Sequence, residues 1–138
     1  MSAGVRVVLC DEHAPARACA RRVLESCGRF EIVGEAADGP TGVALARELR
    51  PALVLMDVML PELRGSEAIR RILAADPSTK VLAFSSDAKW EAVEEMFAAG
   101  ARGYVVKSGI ENEILLGALA VISGGFFISP GIQRTTRD

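Results

Sequence analysis

Five short apolar runs, each followed by a stretch with helical spacing, constrain this 138-residue chain more than any other feature. The runs lie at 5–10, 31–36, 52–56, 80–84 and 103–106, and each is predicted to be a β-strand. Between them apolar residues return at the spacing of one helix face. Ala16, Cys19, Ala20, Val23 and Leu24 share such a face, and Leu45, Ala46 and Leu49 another. Ala68, Ile69, Ile72 and Leu73 make a third stripe; Ala92, Val93, Met96 and Phe97 make a fourth. The first, third and fourth runs are almost wholly apolar, as expected of strands covered by helices on both faces. Asp38-Gly39-Pro40 and Asp76-Pro77 punctuate the elements. With right-handed crossovers, this alternation predicts a three-layer α/β domain built on a parallel sheet.

The length suits one domain with a full core, and half of the residues are hydrophobic, well above a disordered composition. A net charge of −2, with scattered arginines, argues against this segment gripping a polyanion such as DNA by itself. Cys10, Cys19 and Cys27 are odd in number, and Cys10 falls in an apolar strand and Cys19 on an apolar helical stripe, so they read as reduced thiols rather than a disulfide framework. The N-terminus lacks a signal-peptide pattern, and no apolar stretch reaches the roughly 20 residues of a spanning helix. A cytoplasmic protein without a membrane partner is expected.

The fifth predicted helix, at about 111–123, has no polar side chain from Ile114 to Ile122. A helix apolar all round is buried on more than one side. Either the small residues Gly117, Ala118 and Ala120 are simply tolerated in water, or Leu116 and Leu119 meet another subunit or an attached domain. Residues 1–125 are expected to form the domain, and 126–138 a linker towards a further segment.

Reactive groups stand where the strands run out. Asp11-Glu12 follow the first run, Asp57 the third, Ser85 the fourth and Lys107 the fifth. In an open parallel sheet the carboxyl ends of the strands border the ligand crevice, so these groups converge on one edge. Taken singly, Asp11 reads as a helix N-cap, Ser85 as a cap and Lys107 as a solvated cation. Four populated strand ends together read as a phosphoryl-accepting aspartate with a metal site. Clustered carboxylates repel one another and an incoming phosphoryl group, and a divalent cation removes that repulsion. Mg²⁺ suits hard oxygen ligands and neutralises charge in in-line phosphoryl transfer. Lys107 and the Ser85 hydroxyl would contact phosphoryl oxygens. His13, the only histidine, reads better as a polar entry residue to the first helix than as a catalyst.

A set of motifs here resembles the receiver domains of two-component response regulators over nearly all of residues 4–125. They are Asp11-Glu12, Asp57 with Pro61 and Gly65 behind it, Ser85-Ser86, and the run Gly100 to Lys107. The resemblance implies a flavodoxin-like five-stranded sheet of order 2-1-3-4-5. It also implies that Asp57 is the phosphoacceptor. Asp11, Glu12, Asp57 and the Met59 backbone carbonyl would hold Mg²⁺, and Ser85 and Lys107 would bind the phosphoryl group. Tyr104 would be an aromatic switch that turns inward when Ser85 moves. A sensor histidine kinase is the implied donor. Such a protein accepts a phosphoryl group, can lose it again by autodephosphorylation, and is not a turnover enzyme. The acidic pair is more often Asp-Asp in that family, so Glu12 is a departure by one methylene.

Asp11-Glu12-His13, Lys107-Ser108 without a following proline, and the exit Gly-Gly-Phe-Phe-Ile-Ser-Pro resemble the NarL/LuxR-type subgroup. That subgroup implies a C-terminal helix-turn-helix domain, a role in transcription regulation, and DNA contact only through that domain. A homodimer through the fifth helix is a further expectation. A stand-alone or degenerate receiver acting as an interaction module is the alternative. A haloacid-dehalogenase-type phosphatase would need an aspartate where Met59 stands, and a nucleotide-binding enzyme would need a glycine-rich phosphate loop, which is absent.

Overall fold

The computed structural model describes residues 4–107 and 112–133. In chain order the elements are β1 (Val5–Cys10), α1 (Ala14–Ser26), β2 (Phe30–Ala36), α2 (Gly39–Leu49), β3 (Leu53–Met56) and α3 (Gly65–Ala75). They continue as β4 (Lys80–Ser85), α4 (Trp90–Ala99), β5 (Gly103–Val106), α5 (Asn112–Ile122) and β6 (Phe127–Ile128). Ser108, the expected start of the fifth helix at 111, and the tail from Arg134 lie outside the described residues.

All strands pair in parallel, in the order β2-β1-β3-β4-β5-β6. The expected flavodoxin-like order is therefore present, with a sixth strand added beside β5. Alternation along each strand sends neighbouring side chains to opposite faces and divides the interior in two. Val8, Val54, Met56, Val81, Ala83 and Tyr104 pack under α2, α3 and α4. Val7, Leu9, Leu53, Leu55, Leu82 and Val105 pack under α1 and α5.

One irregularity adjusts this parity. The β1–β2 register slips between Val7 and Val8, so that Val7 pairs with Ile32 but Val8 with Gly34. The extra residue turns β2 over. Phe30 and Ile32 serve the α1/α5 side, and Ala36 serves the other.

α2 begins at Asp38, whose Oδ1 accepts the Thr41 N–H at 2.7 Å, with Pro40 in the first turn. Its last turn is held by Arg6, whose guanidinium donates to the Leu49 carbonyl at 2.6 Å. Cys10 is buried, and burial pushes its thiol up to about 12, so it is an inert packing group. All three cysteines are free thiols, as expected.

α5 turns Ile114, Ala118 and Val121 into the core and leaves Leu116 half exposed, while Leu119 is partly buried beside the α1/α5 core. Among the described residues no helix is long and apolar enough to cross a membrane. Within the segment expected to be a linker from 126, Phe127 and Ile128 pair with β5 as β6, and Gln133 pairs with Lys89.

Candidate phosphoacceptor site

The sheet's carboxyl edge is formed by strands that end level with one another. Cys10 pairs with Met56, Met56 with Ala83, and Ser85 with Val106. The residues that continue or end these strands are therefore brought together. Backbone bonds fix them there. Asp57 N–H donates to the Cys10 carbonyl at 3.0 Å, and Lys107 N–H donates to the Ser85 carbonyl at 2.8 Å. Asp11 N–H donates to the Ala36 carbonyl at 2.9 Å.

Asp11 and Asp57 are 3% and 4% exposed, which is rare for carboxylates without partners. Their partner is Lys107. Its Nζ lies 3.1 Å from Asp57 Oδ2 and 2.5 Å from Asp11 Oδ2, above the Phe84 ring. The Asp57 contact is a hydrogen bond. The Asp11 contact is an ion pair without hydrogen-bond geometry, so Asp11 Oδ2 is buried with no hydrogen bond. Asp11 Oδ1 accepts the His13 backbone N–H at 2.8 Å, and Asp57 Oδ1 faces the Met59 N–H at 3.4 Å. Burial pushes the Asp57 carboxyl above its usual range; the Lys107 ammonium opposes this and the Asp11 charge adds to it.

Beyond Asp57, α3 starts unusually close to the strand end. Gly65 N–H donates to the Val58 carbonyl at 3.0 Å. A Cβ on Gly65 would stand 2.1 Å from the Asp57 carbonyl oxygen, so only glycine permits this approach.

Asp11, His13 and Asp57 each bring one ligand atom within 4.8 Å of the others. Two buried carboxylates side by side, one with an oxygen that no hydrogen bond holds, form a donor set that fits a hard divalent cation. Glu12, expected as a ligand, is exposed and lines the rim of the same crevice, as does Met59. The crevice, about 460 Å³, also borders on Ser85 and Lys107. A smaller hollow of about 140 Å³ near Arg47, Arg50 and Asp76 lies apart from these groups.

Ser85, 1% exposed, uses its Oγ to accept the Asp87 N–H at 3.1 Å. Tyr104 is wholly buried, and its hydroxyl donates to the Asp87 carbonyl at 2.6 Å. Burial raises its phenol to about 12, so it stays a neutral donor. The ring expected to turn inward on phosphorylation is thus already inward in this structure.

Asp11, Glu12, Asp57, Met59, Ser85 and Lys107 lie at this edge, whereas Tyr104 lies within β5 and Leu116 and Leu119 lie on α5. His13 opens α1 as its N-cap residue, as expected, and its ring also lies within reach of the two carboxylates. The Asp87 backbone, which the sequence reading did not single out, ties Ser85 to Tyr104, and because both contacts use main-chain atoms the residue type gave no signal of them.

Comparison with known proteins agrees with this geometry. The chain is 35% identical over 130 residues to the response regulator GacA of Pseudomonas protegens, covering 94% of this chain and 61% of GacA. It is 30% identical to the transcriptional regulatory protein DegU of Brevibacillus brevis, covering 94% of this chain and 55% of DegU. The chain thus spans little more than half the length of these relatives. A two-component response regulator of the LuxR family from Aurantimonas matches at TM-score 0.89 and 35% identity, over 94% of this chain and 93% of that one. The signal receiver domain of the regulator NarL from Mycobacterium tuberculosis matches at 0.84 and 28%, over 89% and 99%. Both names fall in the subgroup that the Asp11-Glu12-His13 motif suggests. The family model described as the response regulator receiver domain runs from residue 7 to residue 118, through every strand that carries the site, and the chain belongs to that family.

Proposed function

We propose that Asp57 accepts a phosphoryl group from the phosphohistidine of a sensor kinase. The observation that carries this reading is a carboxylate 4% exposed, hydrogen-bonded to Lys107 and facing an open crevice at the strand ends. A carboxylate oxygen of Asp57 forms the new P–O bond as the donor's N–P bond breaks, and the bonding pair leaves with the imidazole. Lys107 shifts its ammonium contact from the carboxylates to a phosphoryl oxygen, and the Ser85 hydroxyl donates to another.

Mg²⁺, held by Asp11 and Asp57 with Glu12, His13 or the Met59 carbonyl completing its shell, would neutralise charge during the transfer. Hydrolysis of the aspartyl phosphate resets the protein, so it is a phosphoacceptor and not a turnover enzyme. Phosphorylation adds about −1.5 to −2 units of charge at the strand ends. Ser85 then moves, with the Asp87 and Tyr104 contacts that depend on it.

The names of the relatives, a response regulator and a transcriptional regulatory protein, support a role in transcription regulation, which the receiver would exert in the cytoplasm through a DNA-binding effector. The test is intact-mass spectrometry after incubation with Mg²⁺ and acetyl phosphate. One added phosphate, lost in Asp57→Asn and without divalent cation, is the expected result. An adduct that survives Asp57→Asn, or no adduct at all, overturns the reading.

A further inference from the structure

Residues 126–133 leave α5 and return across the sheet edge, where they touch the strands and loop that carry the switch. Phe127 N–H donates to the Arg102 carbonyl at 3.2 Å, and Ser129 N–H donates to the Tyr104 carbonyl at 2.9 Å. Ser129 itself is 2% exposed. Its hydroxyl oxygen accepts the Val106 N–H at 3.0 Å and donates its proton to Glu113 Oε1 at 2.5 Å. Val106 is the residue before Lys107, so this buried hydroxyl holds β5 one peptide upstream of the lysine.

Farther along, Gln133 N–H donates to the Ala88 carbonyl at 2.7 Å, and its carbonyl accepts the Trp90 N–H at 3.1 Å. Ala88 follows Asp87, whose N–H rests on Ser85 Oγ and whose carbonyl holds Tyr104. Ile128 and Ile132 pack against the core that contains Tyr104.

We propose that this strap reports occupancy of the Asp57 site, with Ser129 as the positioning residue on β5 and Gln133 as the contact on the β4–α4 loop. The inference rests on the phosphoacceptor reading above. When Ser85 turns to a phosphoryl oxygen, it draws away from the Asp87 N–H. The loop loses that anchor and the Ala88 carbonyl withdraws from Gln133. The Ser129 end stays fixed, because its partners lie on β5 and α5. The strap is therefore released from its far end, beyond Ile132.

Linkage makes the effect reciprocal: whatever phosphorylation does to the strap contact, loss of that contact does to phosphoryl binding by the same factor. Gln133→Pro deletes the donor to Ala88 at an exposed position. It is expected to tighten beryllofluoride binding in Mg²⁺ about fivefold, a modest coupling of the usual size. Ser129→Ala leaves the Val106 N–H unpaired and loosens Lys107, and is expected to weaken the same binding about tenfold, a larger coupling within the same range. Ser129→Thr, which keeps the hydroxyl, should recover most of that loss. Opposite signs from two strap variants are not produced by general destabilisation.

The experiment is beryllofluoride titration of the wild type and the three variants, with amide exchange of Gln133 and Trp90 followed by NMR. Exchange of both amides should quicken about tenfold in wild type on saturation, as local opening becomes easier. A protein that takes neither acetyl phosphate nor beryllofluoride sinks the phosphoacceptor reading and this inference with it. A protein that takes both, with strap exchange unchanged, with Gln133→Pro binding no tighter or with Ser129→Ala binding no weaker, sinks the inference alone.

Discussion

Replacing Lys107 with methionine removes the one cation that, among the described residues, contacts both buried carboxylates, while keeping the side chain's apolar stem. At 3.1 Å from Asp57 Oδ2 and an effective dielectric constant of about 20, the pair's gross attraction is about 5 kcal/mol. The lysine side chain is 16% exposed, so water recovers part of that. A net loss of about 3 kcal/mol at neutral pH in EDTA is expected, at the low end for a broken buried pair. With a urea dependence of about 1.5 kcal/mol per molar, the unfolding midpoint should fall by about 2 M. The loss should shrink sharply in an Asp57→Asn background, where one of the two stranded charges is gone. Millimolar Mg²⁺ should restore part of it in the single variant. Burial already holds the Asp57 carboxyl above its ordinary value of 3.8. Acid should therefore relieve the penalty, as folded and unfolded chains both come to hold that proton. If Lys107→Met instead costs the same in the wild type as in the Asp57→Asn background, within about 0.5 kcal/mol, the shared-charge account is refuted.

Three further perturbations probe other parts of the domain. Gly65→Ala drives a Cβ into the Asp57 carbonyl and should destabilise by about 1–3 kcal/mol, with slower uptake of acetyl phosphate; unchanged stability and rate would count against the tight approach. The Arg64 guanidinium, together with the Ser66 hydroxyl, holds the Glu95 carboxyl below its ordinary value of 4.5. A lowered acid stabilises above its unfolded value and loses that contribution as pH falls through the folded one. Glu95→Gln should thus lower the melting temperature at neutral pH and match wild type in acid, which thermal melts across pH would show. Leu116→Glu alters an exposed apolar side chain on α5 and should shift sedimentation towards monomer if α5 joins two copies; the same sedimentation profile in both proteins removes that contact.

The first five strands and the convergent groups were legible because parallel strands covered on both sides leave long apolar runs that end in polar ones, whereas the strand order came only from the resemblance to receiver domains. Asp11, Asp57, Ser85 and Lys107 needed only that rule. The slip between Val7 and Val8 was not legible, since Val33 and Gly34 are as compatible with regular pairing as with a bulge. β6 was missed for a related reason. Phe127 and Ile128 are too few to form a pattern, and their pairing depends on where α5 delivers the chain. Ser129 fell within the expected linker, with nothing to mark its role, because its partners, Val106 and Glu113, are distant in sequence. The exposed position of Glu12 and the approach of His13 follow from the turn after β1, which residue types alone do not specify.

The divided interior has a consequence for how signals and contacts can be wired. Tyr104 and Val106 face the α2–α4 compartment, whereas Val105 faces the one shared by α1 and α5. The backbone of the sheet stands between them as a partition. Repacking around Tyr104 is absorbed on its own side, where α4, Ile128 and Ile132 lie. Ile114, Ala118 and Val121 keep their seats behind the partition, so a copy or domain resting on Leu116 could remain attached while the opposite wall changes shape.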